Sequence, residues 1–254
     1  MAQIPRVLSI AGTDPTGGAG VQADLKAIAA AGGYGMSVTT ALVAQNTQGV
    51  REIHTPPQSF LRAQLDAVFD DVAVDAVKIG MLGDTETTHT VADYLAVRPV
   101  PVVVVDPVMV ATSGDRLLSA DAEAALRQLV ADHATVVTPN IPELALLTDE
   151  PEPDSFDAAV ELGQRYAREA DVQVLVKGGH LSGERASNAL VAPDGSAHVA
   201  EVPRVATKNT HGTGCSLSSA LATRMALGSA TAAVTWASEW LHEAIANADE
   251  LHVG

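Results

Sequence analysis

A chain of 254 residues with a formal net charge of −16 allows one large α/β domain or two small ones, and its acidity argues against binding to nucleic acid or to anionic membranes. Although 47% of the residues are hydrophobic, only 3% are aromatic, so we expect a core of alanine, valine and leucine. The single cysteine excludes an internal disulfide. With no signal-peptide pattern at the N-terminus, this predicts a cytoplasmic protein.

The first motif is a glycine-rich turn between a predicted strand at residues 7–11 and a predicted helix at 21–31. The turn, residues 12–20, is typical of a ligand-binding loop at the carboxyl end of a parallel strand. Its glycine spacing matches neither the dinucleotide-binding fingerprint nor the Walker A motif. From its position alone, Asp24 could simply be a favourable acid near the start of the helix.

A β-branched, apolar run predicts a second strand at residues 36–44, which is followed by Gln45. A carboxamide offers a donor and an acceptor side by side, which matches the ring nitrogen and exocyclic amine of an aminopyrimidine. A simple polar turn before Gly49 explains the same residues equally well.

Helices and strands then alternate along the chain. We predict helices at residues 57–69, 84–95, 121–130, 155–170 and 232–247. We predict strands at residues 74–79, 102–105, 135–138 and 172–176, and a hairpin formed by 189–191 and 198–200. This order predicts an α/β fold with a mostly parallel sheet covered on both faces, and we treat residues 1–254 as a single domain.

Polar residues follow two of these strands. Asp106 comes directly after four consecutive valines, where α/β enzymes commonly place their chemistry. Asn140 and Glu143 are three residues apart, a spacing that predicts either a helix-capping box or oxygen ligands for a magnesium ion beside phosphates. Both interpretations of this pair remain open.

Lysine is rare in this chain, and three of the four lysines lie beside glycine or turn motifs, namely Lys78, Lys177 and Lys208. An acidic protein that handles a polyanion would place its ammonium groups in this way, as point charges for phosphate. Chance placement of so few lysines is the alternative.

The turn at residues 208–215 precedes an apolar helical run that begins near Leu217. Gly212 and Gly214 leave the backbone open to a ligand, and unpaired N–H groups at a helix N-terminus attract anions. Cys215 lies in the first turn, where we expect a lowered thiol pKa. The alternative is a glycine-rich loop before a core helix, with Cys215 as a small buried hydrophobe.

Taken together, these motifs resemble the hydroxymethylpyrimidine and phosphomethylpyrimidine kinases of thiamine biosynthesis, which belong to the ribokinase-like superfamily. The resemblance covers nearly the whole chain. It is carried by residues 11–20, 42–47, 78–82, 106–109, 138–140, 177–180 and 207–215.

The resemblance implies a three-layer α/β/α sandwich that forms a homodimer. It also implies that the protein uses ATP and Mg²⁺ to phosphorylate 4-amino-5-hydroxymethyl-2-methylpyrimidine to its monophosphate and then to its diphosphate. The residues implied for the pyrimidine pocket are Gly12, Asp24, Gln45, Met81 and Val108. Those implied for ATP are Lys177, Thr210, Asn140, Gly212 and Thr213. Those implied for the magnesium region are Asp106 and Glu143. The implied catalytic residues are Lys177 and the anion-hole residues Gly212, Gly214 and Cys215.

Cys215 occupies the position where most ribokinase-like enzymes carry a catalytic Asp. We expect its thiolate to accept a proton from the attacking alcohol, so Cys215→Ala should slow the first phosphorylation more than the second, whose nucleophile is already an anionic phosphate. A pyridoxal kinase of the same superfamily and a non-catalytic pyrimidine-binding domain are the competing interpretations.

Overall fold

In a computed structural model, which describes residues 4–109 and 118–248, an eight-stranded sheet forms the centre of the protein. The strands of these ranges are, in chain order, β1 (Arg6–Ala11), β2 (Tyr34–Thr39), β3 (Leu42–Asn46), β4 (Gly49–His54), β5 (Ala76–Ile79), β6 (Val102–Val105), β7 (Val136–Val137), β8 (Gln173–Lys177), β9 (Asn188–Val191) and β10 (Ala197–Ala200). The order in the large sheet is β10-β9-β8-β7-β6-β5-β1-β2. Neighbours from β2 to β8 pair in parallel, whereas β8, β9 and β10 pair antiparallel.

Helices cover both faces of this sheet. In the described ranges they are α1 (Gly20–Ala30), α2 (Gln58–Phe69), α3 (Thr85–Val97), α4 (Ala120–His133), α5 (Ile141–Thr148), α6 (Phe156–Ala170), α7 (Thr213–Met225) and α8 (Ala230–Ala246). Within residues 4–109 and 118–248, no helix has the length and apolar composition needed to cross a bilayer.

Alternation along the strands divides the core into two clusters. Leu8 and Ile10 of β1 pack on the face covered by α2 to α6, while Val7 packs on the opposite face with residues of α1, α7 and α8. Both clusters are rich in valine, leucine and alanine, as the composition predicts. The predicted three-layer α/β/α sandwich with a mostly parallel sheet is therefore confirmed.

The predicted strand at residues 36–44 is wrong in its extent. The chain leaves the large sheet after Thr39 and forms a separate hairpin from β3 and β4. Thr40 makes this break because its backbone N–H donates to the Ala11 carbonyl at 3.0 Å and its hydroxyl donates to the Met81 carbonyl at 2.7 Å. Apolar and β-branched residues continue on both sides of the break, so the sequence pattern does not reveal it.

The other elements lie close to their predicted positions. Asp84 accepts a hydrogen bond from the Thr87 N–H at the start of α3, and the hairpin predicted around residues 189–200 is formed by β9 and β10. The carboxyl ends of β1, β5, β6 and β8 consequently meet at one edge of the sheet, where the polar motifs follow them.

Candidate active site

A cleft of 810 Å³ opens at this edge of the sheet. Gly12 enters it after β1, Met81 after β5, Asp106 after β6, and Lys177 at the end of β8. The glycine turn that precedes α7 forms part of the same wall. The cleft lies where parallel α/β sheets usually bind ligands, outside the carboxyl ends of the strands.

The turn before α7 exposes the helix N-terminus to the cleft. Gly212 is the N-terminal cap in the left-handed region, with a φ of 77°, and no side chain caps this end of the helix. A Cβ on Gly212 would overlap the carbonyl oxygen of Gly18, so only glycine lets the two glycine-rich turns pack together. Uncapped N–H groups and the helix dipole favour an anion at such a position.

An ion pair lies directly beside that helix end. The Lys177 ammonium is 2.8 Å from Asp106 Oδ1 and 3.7 Å from Glu143 Oε2. A Cβ on Gly214 would lie 3.4 Å from Lys177 Nζ and 3.6 Å from Asp106 Oδ2. Gly214 therefore brings the first turn of α7 into contact with both charged groups.

The charges of this pair stabilise each other despite their burial. Burial opposes ionisation of Asp106, but the Lys177 and Lys78 ammonium groups hold the pKa of Asp106 below its usual value. Burial likewise opposes the charge on Lys177, yet Asp106 and Glu143 raise its pKa. Lys177 therefore stays cationic at neutral pH.

Asn140 and Glu143 form the capping box that was one of their two interpretations. The Asn140 side chain accepts from the Glu143 N–H at 2.9 Å, and the Glu143 carboxylate accepts from the Asn140 N–H at 2.8 Å. Both residues also line the cleft, so the cap does not remove them from the site. Burial raises the pKa of Glu143 to about 7.

Cys215 contradicts one expectation. Its side chain lines the cleft, but burial raises the pKa of the thiol to about 11. The Lys78 charge and a hydrogen bond from the Gly20 backbone favour the thiolate and do not offset burial. The expected lowering of the pKa is therefore wrong, because burial of the thiol outweighs these favourable contacts even though the residue as a whole is only half-buried.

The residues implied for the pyrimidine pocket divide into those that reach the cleft and one that does not. The cleft wall includes Gly12, Gln45, Met81 and Val108. A Cβ on Gly12 would lie 2.6 Å from Met81 Cε, so the glycine is what allows this methionine to cover the β1 turn. The Gln45 amide donates to the Thr13 carbonyl at 3.3 Å, which orients its side chain along the wall.

Asp24 is the implied pocket residue that the structure places elsewhere. Its side chain is fully buried between α1 and the sheet, and both of its oxygens bind the Lys78 ammonium, at 2.8 and 3.0 Å. Ser9 and Ser219 donate to the same carboxylate at 2.6 and 2.8 Å. Because these partners satisfy Asp24, its assignment to the pyrimidine pocket is corrected to a structural role.

The three lysines that lie beside glycine or turn motifs have different surroundings. Lys177 and Lys78 both line the cleft, but the Lys78 ammonium is paired with Asp24. Lys208 is exposed and lies off the cleft wall. Thr210 and Thr213 do line the cleft, and the Thr213 hydroxyl donates to the Thr210 carbonyl at 3.0 Å.

Sequence reasoning missed a link between the two glycine-rich turns. His211 Nε2 lies 2.7 Å from the carboxylate of Asp14, which is fully buried and also accepts from the Ala19 N–H. The pair joins positions 197 residues apart in the chain. Each residue stands in a glycine-rich motif, but no local spacing signals that the two would meet.

Comparison with known proteins points to one family. A family model described as phosphomethylpyrimidine kinase matches residues 14–254. The chain is 62% identical over 251 residues to the thiamine biosynthesis multifunctional protein ThiED of Corynebacterium efficiens, covering 98% of this chain and 34% of that protein. It is 47% identical over 248 residues to the hydroxymethylpyrimidine/phosphomethylpyrimidine kinase of Escherichia coli, covering 97% of this chain and 93% of that protein.

Solved structures agree with these relatives. The phosphomethylpyrimidine kinase of Clostridium difficile matches with a TM-score of 0.82 and 37% identity, covering 96% of this chain and all of that one (100%). An ADP complex of Bacillus subtilis pyridoxal kinase matches with a TM-score of 0.87 and 31% identity, covering 96% and 93% of the two chains. The chain spans only about a third of the two ThiED proteins, 34% and 33%.

Proposed function

The chain belongs to the phosphomethylpyrimidine kinase family, and we propose that it transfers phosphate from ATP to 4-amino-5-hydroxymethyl-2-methylpyrimidine and then to the resulting monophosphate. Its relatives are phosphomethylpyrimidine and hydroxymethylpyrimidine/phosphomethylpyrimidine kinases, which supports this reaction. We treat residues 1–254 as one kinase domain.

One observation carries this proposal. The uncapped N-terminus of α7 meets Lys177 and Asp106 in the cleft, with Gly214 in contact with both charged groups. Phosphoryl transfer depends mainly on positioning and on neutralising charge along the phosphates. A helix dipole and an ammonium group that converge on one point supply that neutralisation without a covalent step.

We assign the ATP phosphates to this convergence. Lys177, Gly212 and Thr213 would contact them, and Thr210 and Asn140 would complete the wall around them. Gln45 and Met81 would hold the pyrimidine at the other end, together with Gly12 and Val108. The transferred phosphate would then pass between the two ends, in front of the Gly212 to Cys215 turn.

Asp106 and Glu143 fit a magnesium ion that arrives with ATP. No cluster of three or more His, Cys, Asp or Glu among residues 4–109 and 118–248 could hold a metal by itself. Mg²⁺ commonly takes one or two carboxylates and completes its shell with water and phosphate oxygens, and these two buried carboxylates match that need. When bound, the ion would neutralise negative charge on the phosphates.

Cys215 has a different role in this proposal from the one its position suggested. With a thiol pKa near 11, it carries its proton at neutral pH and cannot serve as a general base. We propose that it shapes the anion hole, with its backbone N–H in the first turn of α7 supplying the useful contact. A loose transition state loses the alcohol proton late and needs little assistance from a base.

Pyridoxal is the second candidate substrate. The observation that favours it is the strong structural match to pyridoxal kinases, including one from Staphylococcus aureus in complex with AMP-PCP and pyridoxal, at a TM-score of 0.84 and 26% identity. The named curated relatives support the pyrimidine instead. We therefore propose the pyrimidine as the main substrate.

Product mass after incubation with Mg-ATP tests this function. Conversion of hydroxymethylpyrimidine to the monophosphate and then the diphosphate is the expected result. Monophosphate alone would remove the second activity, and turnover of pyridoxal only would make the second candidate correct. Turnover of neither compound would leave a non-catalytic binding domain as the better explanation.

We further propose that the chain forms a homodimer and acts in the cytoplasm. Large apolar residues of the β3–β4 hairpin support a dimer, since Leu42, Val50 and Ile53 are 54%, 44% and 47% exposed. Val50 and Ile53 line the cleft and Leu42 lies on the other face of the hairpin, and exposed apolar surface often marks an interface. Sedimentation velocity of the purified chain would show whether a dimer forms.

A further inference from the structure

A single guanidinium group holds the segment that follows β8, residues 178–185. Arg204 Nε donates to the Gly183 carbonyl at 2.8 Å, and Nη1 donates to the Gly179 carbonyl at 2.9 Å. Nη2 donates to the carbonyls of Leu181 and Arg185, the latter at 3.0 Å. Four backbone carbonyls of one short segment therefore converge on one side chain.

The backbone around Arg204 fixes the same segment a second time. The Arg204 N–H donates to the Glu184 carbonyl at 2.8 Å, and the Ala186 N–H donates to the Val202 carbonyl at 3.0 Å. Arg185 and Pro203 form an antiparallel bridge between these bonds. Arg204 therefore lies on a short extended stretch, residues 202–204, that pairs with residues 184–186 at the end of the segment.

This segment forms the cleft wall next to the phosphate position. It starts immediately after Lys177, and its residues Gly179 and His180 line the cleft. The stretch around Arg204 and helices α7 and α8 add apolar residues to the wall, namely Val202, Val205, Leu217, Leu241 and Ile245. An apolar end next to an anion site has the chemistry of a nucleoside polyphosphate pocket, with the base in the apolar part.

The carbonyls explain why a guanidinium is needed here. Each carbonyl oxygen carries partial negative charge, and four of them without partners would oppose a polyanion bound at Lys177. Arg204 satisfies them and adds a positive charge to the same wall. A lysine cannot replace it, because an ammonium is a point charge whereas arginine presents five donors in a fixed planar fork.

We propose that Arg204 is a positioning residue for the nucleotide, which acts by holding residues 178–185 in the shape that accepts a nucleoside triphosphate beside Lys177. The inference rests on the proposed kinase function. Arg204 has no proposed contact with the pyrimidine, so we expect its substitution to affect nucleotide binding and not pyrimidine binding.

The test is nucleotide affinity in two variants of Arg204. We expect Arg204→Lys and Arg204→Ala to weaken ADP binding, measured by calorimetry without pyrimidine, by about tenfold or more, since charge-assisted hydrogen bonds are lost. The KM for ATP should rise in parallel, while the KM for the pyrimidine changes by less than about twofold. Free guanidinium, at concentrations well below denaturing ones, should restore part of the ADP affinity of Arg204→Ala, and an equal concentration of ammonium should not.

Arg185→Ala is the matched control, because Arg185 lies at the end of the same segment and its side chain pairs with Glu201 at an exposed position. Its ADP affinity should stay within about twofold of the wild-type value. Wild-type affinity in Arg204→Lys, or an equal loss of pyrimidine and nucleotide binding, would overturn the inference.

Hydrogen exchange on the unmodified protein tests the same inference without a variant. ADP should slow amide exchange in residues 179–185 more than the pyrimidine does, and equal protection by both ligands would overturn the inference. If the wild-type protein bound no ADP at all, the proposed kinase function would fail instead, which separates the two outcomes.

Discussion

Two lysine–aspartate pairs of the same length lie in very different surroundings. Lys78 and Asp24 are 2.8 Å apart, and both side chains are 0% exposed. Lys177 and Asp106 are also 2.8 Å apart, but their side chains are 12% and 3% exposed. Both lysines line the cleft, but the first pair is packed between α1, α7 and the sheet with no exposed side-chain surface, whereas the second pair keeps some exposure to the cleft.

Position along the strand explains the difference. Lys78 stands inside β5, opposite Ser9 of β1 in the register, whereas Lys177 is the last residue of β8. Ser9 and Ser219 hydroxyls complete the coordination of Asp24. Around Lys177, by contrast, the charged neighbours are Asp106 and Glu143, and the nearby Gly214 has no side chain that would fill the space beside the ammonium.

The comparison teaches that an ion pair alone does not identify a catalytic lysine. Protein groups balance the charges of the Lys78–Asp24 pair and satisfy the Asp24 carboxylate, so removing the pair should lower the stability of the fold. The cleft pair has its ammonium directed at an uncapped helix end, so its loss should cost activity. The following variants test whether the buried pair mainly supports stability and the cleft pair mainly supports activity.

The largest expected effect is on stability, from Lys78→Met. Removing the ammonium leaves the buried Asp24 carboxylate without its cation, which should lower the free energy of unfolding by about 3–5 kcal/mol. Denaturant unfolding with fitted m-values measures this. Lys26→Met is the matched control, since Lys26 is exposed and donates only to the Gly17 carbonyl.

The double variant Asp24→Asn, Lys78→Met should recover part of that loss, because an uncharged amide can still accept from the two serines. A stability of Lys78→Met within about 1 kcal/mol of the wild-type value would contradict the structural role of this pair.

The next effect is on activity, from Lys177→Met. Loss of one preorganised positive group at the transferred phosphate should reduce kcat/KM by about 10²–10³-fold. The unfolding free energy should fall less than in Lys78→Met, because the cleft admits water to Asp106. Lys208→Met, which removes an exposed lysine near the same turn, should keep activity within about twofold of wild type. A Lys177→Met enzyme that loses stability but keeps its kcat/KM would reverse the comparison.

The smallest effect is expected from Cys215→Ala, at the turn that lies between the two pairs. Because burial keeps the thiol protonated, with a pKa of about 11, the variant should slow both phosphorylations by the same factor, about tenfold or less. Single-turnover rates of the two steps measure this, and the ratio of the two factors should not change across the neutral pH range. A selective slowing of the first step would restore Cys215 as a base.

Local patterns found most of the candidate site. Glycines before a helix predicted the anion turn, and an acid after a buried strand predicted the position of Asp106. Strand ends in a parallel sheet share one edge, so the residues that follow them meet wherever the fold is correctly predicted. The resemblance to a known family added the roles, which the residues alone left open.

The failures have a common physical origin in packing. Asp24 and Lys78 both stand in or near predicted ligand motifs, and only the contact between α1 and β5 reveals that they bind each other. The pKa of Cys215 depends on how closely α7 packs against the α1 turn, which no local spacing states. The break at Thr40 likewise depends on bonds to Ala11 and Met81.

The α/β class, the two glycine-rich turns and the residues at the strand ends can be predicted from the sequence, because periodicity, turn chemistry and strand position are local properties. The packing of the layers settles three further points: Lys78 is paired inside the core, Asp24 is satisfied by protein groups, and Arg204 organises the segment beside Lys177. These outcomes depend on burial and on partners distant in the chain, and both are set when the layers pack.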